Sequence, residues 1–155
     1  STHIERGRRV TSHVIDFNAD LVKAYDAYIK GIGRPGANVM GLIALEAAYR
    51  GGAEWLENVK ALSCHNYEYM VKEFAEKCPK IVVTPLEGTY LSWIDLRGYM
   101  PGDQVADFIQ KKCRLACDVG EWFSFTGHGF VRFNLATDTK NIKTAVERVI
   151  QNIQA

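Results

Sequence analysis

One arginine interrupts the apolar run "GFVRFNLA" near the C-terminus, and of all the residue types in the chain it is the one whose placement most demands chemistry. Side chains alternate along an extended segment, so Val131, Phe133 and Leu135 share one face and Phe130, Arg132 and Asn134 share the other. A guanidinium withdrawn from water without a partner is strongly unfavourable, so Arg132 must meet an anion, a cluster of acceptors or solvent. An exposed edge position, an internal ion pair and a ligand carboxylate or phosphate each satisfy that requirement.

The other chemistry-bearing residues form weaker patterns. "GIGRPG" at residues 31–36 is a literal G-x-G-x-x-G. The dinucleotide fingerprint needs a strand before it and a helix after it. Here the preceding segment reads as helical and Pro35 stands inside the loop, so a glycine-rich connection between helices is the better reading. A helix follows, and amides near Asn38 at its start could face an anion. His128 lies between two glycines, and His13 and His65 have no convergent partners in the sequence. An ordinary structural role is preferred for each. Cys64, Cys78, Cys113 and Cys117 include no C-x-x-C pair. They read as free thiols of a reducing cytoplasm, with no metal site. "RGRR" at 6–9 is a small basic cluster without the broad charge or interleaved aromatics of a nucleic-acid surface.

The elements that must position these residues change character along the chain. "TSHVIDF" reads as a strand at 12–17. "NADLVKAYDAYIKG" reads as a helix, with Asn18 or Asp20 as N-cap and Gly31 or Gly33 past its end. "ANVMGLIALEAAYR" is apolar nearly all round, with Glu46 the charge in its middle, as expected of a helix buried in a larger core or at an interface. The next helix, "AEWLENVKALSCHNYEYMVKEFAEK", carries Leu56, Val59, Tyr67, Met70 and Phe74 close to one stripe. After Pro79 the pattern becomes α+β. Strands are expected near 80–84, 89–96 and 130–136, with helices near 103–116 and 139–153 packed on them. Residues 1–10 read as a flexible tail. Residues up to about 50 hold too few partners to bury their own apolar surface, and the chain reads as a piece of a larger protein.

The composition bounds the class. The 155 residues are 47% hydrophobic and 24% charged, which fits a globular domain rather than a disordered chain. A formal net charge of +1 gives no electrostatic case for nucleic acid or membrane partners. No apolar run reaches the roughly 20 residues of a membrane helix.

"GTYLSWIDLRGY", "DVGEWFSFTGHGFVRFNLAT" and the amphipathic C-terminal helix together resemble the end of a class I/II aminotransferase. More narrowly they resemble the MalY/PatB-type cystathionine β-lyase branch of that superfamily. "GLIALEAAYRGGAEWL" is similar to the segment opening this branch's long inter-domain helix. The resemblance implies a fold-type I, pyridoxal-phosphate-dependent homodimer acting on amino acids by amino-group transfer or by β-elimination at a C–S bond. It implies a C-terminal small domain over 51–155, including the long linking helix, and a remnant of the large domain with an interface helix over 11–50. Arg132 stands where the family holds the substrate α-carboxylate, a task suited to a planar, permanently charged guanidinium. The same resemblance gives Asn38 a phosphate-side role toward the partner subunit. As such an anchor, Arg132 is expected to have no internal carboxylate partner. The family's Schiff-base lysine has no counterpart, since Lys23, the first lysine, comes too late and in a helix. No residue of this chain is therefore assigned as catalytic, and the chain alone is expected to be inactive and not to bind the cofactor covalently. "WFSF" also departs from the family's commoner Phe-Gly turn. The rival expectation is a non-catalytic α+β domain, truncated or divergent, with a role in assembly.

Overall fold

The structure is a computed structural model that describes residues 2–5, 8–11, 18–33 and 39–154. The strand expected at 12–17 lies outside the described residues. The chain divides into two units, Ser1–Trp55 and Leu56–Ala155.

In the first unit, β1 (Thr2–Glu5) and β2 (Arg8–Thr11) pair antiparallel with Thr2 opposite Thr11 and Glu5 opposite Arg8. These two strands occupy the stretch expected to be a tail. α1 (Ala19–Gly31) starts where the Asn18 Oδ1 accepts the amides of Asp20 at 3.1 Å and Leu21 at 3.2 Å, satisfying two of the free N–H groups at the helix start. It stops where Gly33 takes φ +69°, a left-handed conformation that favours glycine. α2 (Val39–Gly51) is the apolar helix. Within this chain α1 and α2 bury only Gly41 among their described residues, and Leu21, Tyr25, Tyr28, Val39, Met40, Ile43 and Tyr49 are exposed.

The second unit is built around a four-stranded antiparallel sheet ordered β3 (Val82–Val83), β4 (Leu91–Asp95), β6 (Phe130–Asn134), β5 (Asp118–Val119). Strict alternation sorts its two faces. Ser92, Ile94, Val119, Val131 and Phe133 are buried, whereas Leu91, Trp93, Asp95, Asp118, Phe130 and Arg132 are only partly covered. The buried face shares a core with Met70 and Phe74 of α3 (Ala53–Lys77) and with Ile142, Val146, Val149 and Ile150 of α5 (Thr139–Gln154).

Two helical segments differ from expectation. The helix expected over 103–116 is broken into a 3₁₀ turn at Gly102–Gln104, one α turn, α4 (Val105–Asp107), and a π turn at Phe108–Lys112. The wider turn lets Val105, Phe108, Ile109 and Cys113 all reach the core, and Arg114 at φ +54° ends it early. The buried line of α3 runs through Ser63, Asn66, Met70 and Phe74, while Leu56 at its start is exposed.

Candidate functional site

Arg132 sits at the middle of β6, opposite Trp93 of β4 on one side and Asp118 of β5 on the other. The register alone therefore brings a cation, an indole and a carboxylate together on the partly open face of the sheet. The Arg132 Nε donates to Asp118 Oδ2 at 3.1 Å and Nη2 donates to the same oxygen at 2.5 Å. Both side chains stay partly in solvent, at 31% for Arg132 and 41% for Asp118. The expectation that Arg132 lacks an internal carboxylate partner is thus corrected. A half-covered guanidinium needs an anion, and the neighbouring edge strand supplies one. Nη1 is not engaged by any described residue.

Aromatic rings complete the surroundings. The Arg132 guanidinium carbon lies 4.6 Å from the centre of the Phe123 ring. Phe123 meets Trp93 edge-on at 5.7 Å, and Trp93 stacks on Phe130 at 5.6 Å. Beyond Phe130, the Arg97 guanidinium covers that ring at 4.5 Å and is itself tied to Asp95 at 2.7 Å. The hydrogen bond from Arg97 holds the Asp95 carboxyl below its ordinary range. Arg132 is accordingly one end of a packed row of rings and cations. Its chemical capacity is to bind an anion through the remaining N–H edge while its plane is held.

The loop carrying Phe123 is shaped by two glycines. Gly120 and Gly127 are buried backbone to backbone, so that a Cβ on either would run into the other's carbonyl oxygen. Ser124 caps the short turn that follows by accepting the amide of Thr126 at 3.2 Å. His128 leaves this loop to pair through Nδ1 with Glu121 Oε2 at 3.2 Å.

The other sequence candidates fall elsewhere. Asn38, His13 and residues 34–36 of the glycine-rich run lie outside the described residues. Gly31 closes α1, so a helix and not a strand precedes that run. His65 is exposed on α3. Burial pushes the Cys113 thiol up to about 11, and burial together with the nearby Asp118 charge pushes Cys117 up to about 12. Neither is a thiolate nucleophile near neutral pH. Among the described residues no group of three or more His, Cys, Asp or Glu side chains could hold a metal ion. Among them, too, no helix is long and apolar enough to cross a membrane.

The sequence pattern alone does not mark Asp118, Phe123 or Trp93 as site residues. The alternation of β4 marks Trp93 as sharing a face with Leu91 and Asp95. Nothing local marks Asp118, which lies in a two-residue strand.

No protein-family model matches the chain. The chain is 31% identical over 137 residues to Protein MalY of Escherichia coli, a match covering 84% of the chain and 35% of that protein. It is 24% identical over 126 residues to the cystathionine β-lyase PatB of Bacillus subtilis, covering 81% of the chain and 33% of PatB. Among solved structures, it superposes on cystalysin of Treponema denticola, which contains a pyridoxal 5'-phosphate cofactor. That match has a TM-score of 0.81 and 27% identity and covers 90% of this chain and 36% of cystalysin. A putative pyridoxal-phosphate-dependent β-cystathionase of Corynebacterium diphtheriae matches with a TM-score of 0.71 and 34% identity, over 77% of this chain and 32% of the other. The chain spans about a third of the length of the curated relatives it matches.

Proposed function

We propose that this chain, which over about four fifths of its length resembles MalY/PatB-type cystathionine β-lyases, is the C-terminal portion of a pyridoxal-phosphate-dependent aminotransferase or C–S lyase acting on amino acids. Residues 51–155 are its small domain with the linking helix, and 11–50 belong to the large domain. The exposed apolar residues of α2 suit a surface covered in a homodimer, and the free thiols suit a cytoplasmic protein.

The observation that carries the reading is the partly covered guanidinium of Arg132 on the partly open face of the sheet, with Nη1 engaged by no described residue. Its role is to take the substrate α-carboxylate and so fix which substituents of Cα face the reacting centre. The groups around it are one carboxylate and several rings. They suit a carboxylate ligand, but they include neither an amine for a Schiff base nor a set of phosphate donors. The described residues therefore fit the substrate end of such a site and not the cofactor. In the intact enzyme the cofactor supplies the electron sink for charge developing at Cα. This chain by itself does not catalyse.

Arg132→Ala in the intact enzyme tests the reading. It removes a charge-assisted contact worth about 1.5–3 kcal/mol, or roughly ten- to a hundredfold in kcat/KM. Cofactor uptake, followed by absorbance, is expected to stay unchanged. Normal turnover combined with lost stability refutes the assignment. That outcome favours a second reading, supported by the Arg132–Asp118 pair itself, in which the ion pair is structural and the domain serves assembly.

A further inference from the structure

The "WFSF" stretch is where the sequence leaves the family pattern, and the structure gives one of its rings a partner. Phe123 lies on the guanidinium of Arg132 at 4.6 Å and is braced edge-on by Trp93 at 5.7 Å. Asp118 meets the same guanidinium along its Nε edge, where both donated hydrogens lie in the plane of the group. One neighbour thus engages the Nε edge, and the other sets the face of its ring against the guanidinium carbon. No described residue engages the edge bearing Nη1.

We propose that Phe123, together with Asp118, is a positioning residue for Arg132, and that the two present the Nη1 edge to an incoming carboxylate. The inference rests on the reading of Arg132 as a carboxylate anchor and adds to it the groups that aim the anchor. A long arginine side chain otherwise samples many rotamers, and a planar donor fork gains from being held before the ligand arrives. The ring contributes through its π face, since a cation is attracted to the negative face of an aromatic quadrupole. An aliphatic side chain of similar bulk fills the space but lacks that attraction.

Phe123 is the better residue to perturb, because removing Asp118 changes the charge as well as the geometry. The ring is half exposed on a loop, so its replacement leaves the core of the second unit untouched. The chain itself, labelled with ¹⁵N in mildly acidic buffer, is titrated with sodium propionate against sodium chloride at matched ionic strength. The reporter is the Arg132 Nε–H resonance, assigned by its loss in Arg132→Lys. The wild-type resonance is expected to shift saturably with propionate. Phe123→Leu is expected to weaken the apparent affinity about two- to fivefold, the factor that corresponds to an exposed cation–π contact. Phe123→Tyr, which keeps the π face, is expected to bind within about twofold of wild type. The amide resonances of Ile94 and Val131, unchanged in both variants, report an intact sheet.

A wild-type resonance indifferent to propionate overturns the anchor reading, and the proposal with it. A wild-type response retained in full by Phe123→Leu overturns only the positioning role. Phe123→Tyr binding as weakly as Phe123→Leu overturns it too, because the π face then contributes nothing.

Discussion

Asn66 offers the sharpest test of the packing that holds the site's strand in place. It is fully buried on α3, and its Nδ2 donates to the carbonyls of Leu135 at 2.8 Å and Thr137 at 2.9 Å. Those carbonyls follow directly on β6, so one side chain ties the strand that carries Arg132 to the long helix. Asn66→Asp keeps shape and volume while deleting both donors. At neutral pH it sets a buried carboxylate against two carbonyl oxygens. Each lost hydrogen bond contributes about 0.5–1.5 kcal/mol net, and stranding the buried Leu135 carbonyl adds about 1–3 kcal/mol. The Thr137 contact is only part-buried, so water recovers some of its share. A net loss of about 3 kcal/mol follows, in the range for leaving a buried charge uncompensated. With a urea slope of about 1–3 kcal/mol/M the midpoint falls by about 1–3 M at unchanged slope. The sign of the pH dependence is fixed as well. Burial raises the introduced carboxyl's folded pKa above its unfolded value of about 3.9. The protonated acid regains one donor, so the deficit is smallest below about pH 4 and grows as pH rises through the folded pKa. Urea denaturation of both proteins at acidic and neutral pH measures this. A deficit under about 0.5 kcal/mol, or one that shrinks as pH rises, refutes the role given to Asn66.

Two further outcomes follow from the same geometry. Gly127→Ala drives a Cβ into the Gly120 carbonyl oxygen, so it is expected to cost about 1–3 kcal/mol and to move the Arg132 Nε–H resonance through displacement of Phe123; an unchanged resonance in that variant counts against the loop's role. A thiol reagent at neutral pH is expected to modify the exposed Cys64 first, with Cys113 and Cys117, pushed up to about 11 and about 12, reacting only on unfolding or in strong alkali. Rapid modification of all three in the folded chain contradicts that.

Much of the second unit was legible because its pattern is regular. β4 and β6 alternate cleanly, and Ile142, Val146 and Val149 recur at helical spacing, so both faces and their helices follow from periodicity. The register was not legible, and with it went Asp118. Two residues are too short for a period, and β5 exists only because β6 offers it an edge. The inner line of α3 is only partly legible, Met70 and Phe74 but not its polar members, for a different reason. Two of its four buried positions, Ser63 and Asn66, are polar, and their burial is licensed by hydrogen bonds to a backbone carbonyl within the helix and to the segment after β6. A hydrophobic pattern has no means of marking them. The break in the segment over 102–112 was hidden because Val105, Phe108, Ile109 and Cys113 also fit an ordinary helix. Arg132 itself was visible as a cation among apolar neighbours, while what meets it was not.

The two holds on Arg132 differ in how they are built. Asp118 is delivered by strand pairing, so any insertion that preserves the ladder preserves the ion pair. Phe123 arrives on a loop closed over two glycines, outside the ladder, where the exposed side chains between those glycines vary at little cost to the core. The charge balance of the anchor is thus bound to the architecture, whereas its apolar cover is free to diverge. A lineage could exchange the ring, resize it or remove it and retune the neighbourhood of the cation without rebuilding the sheet beneath.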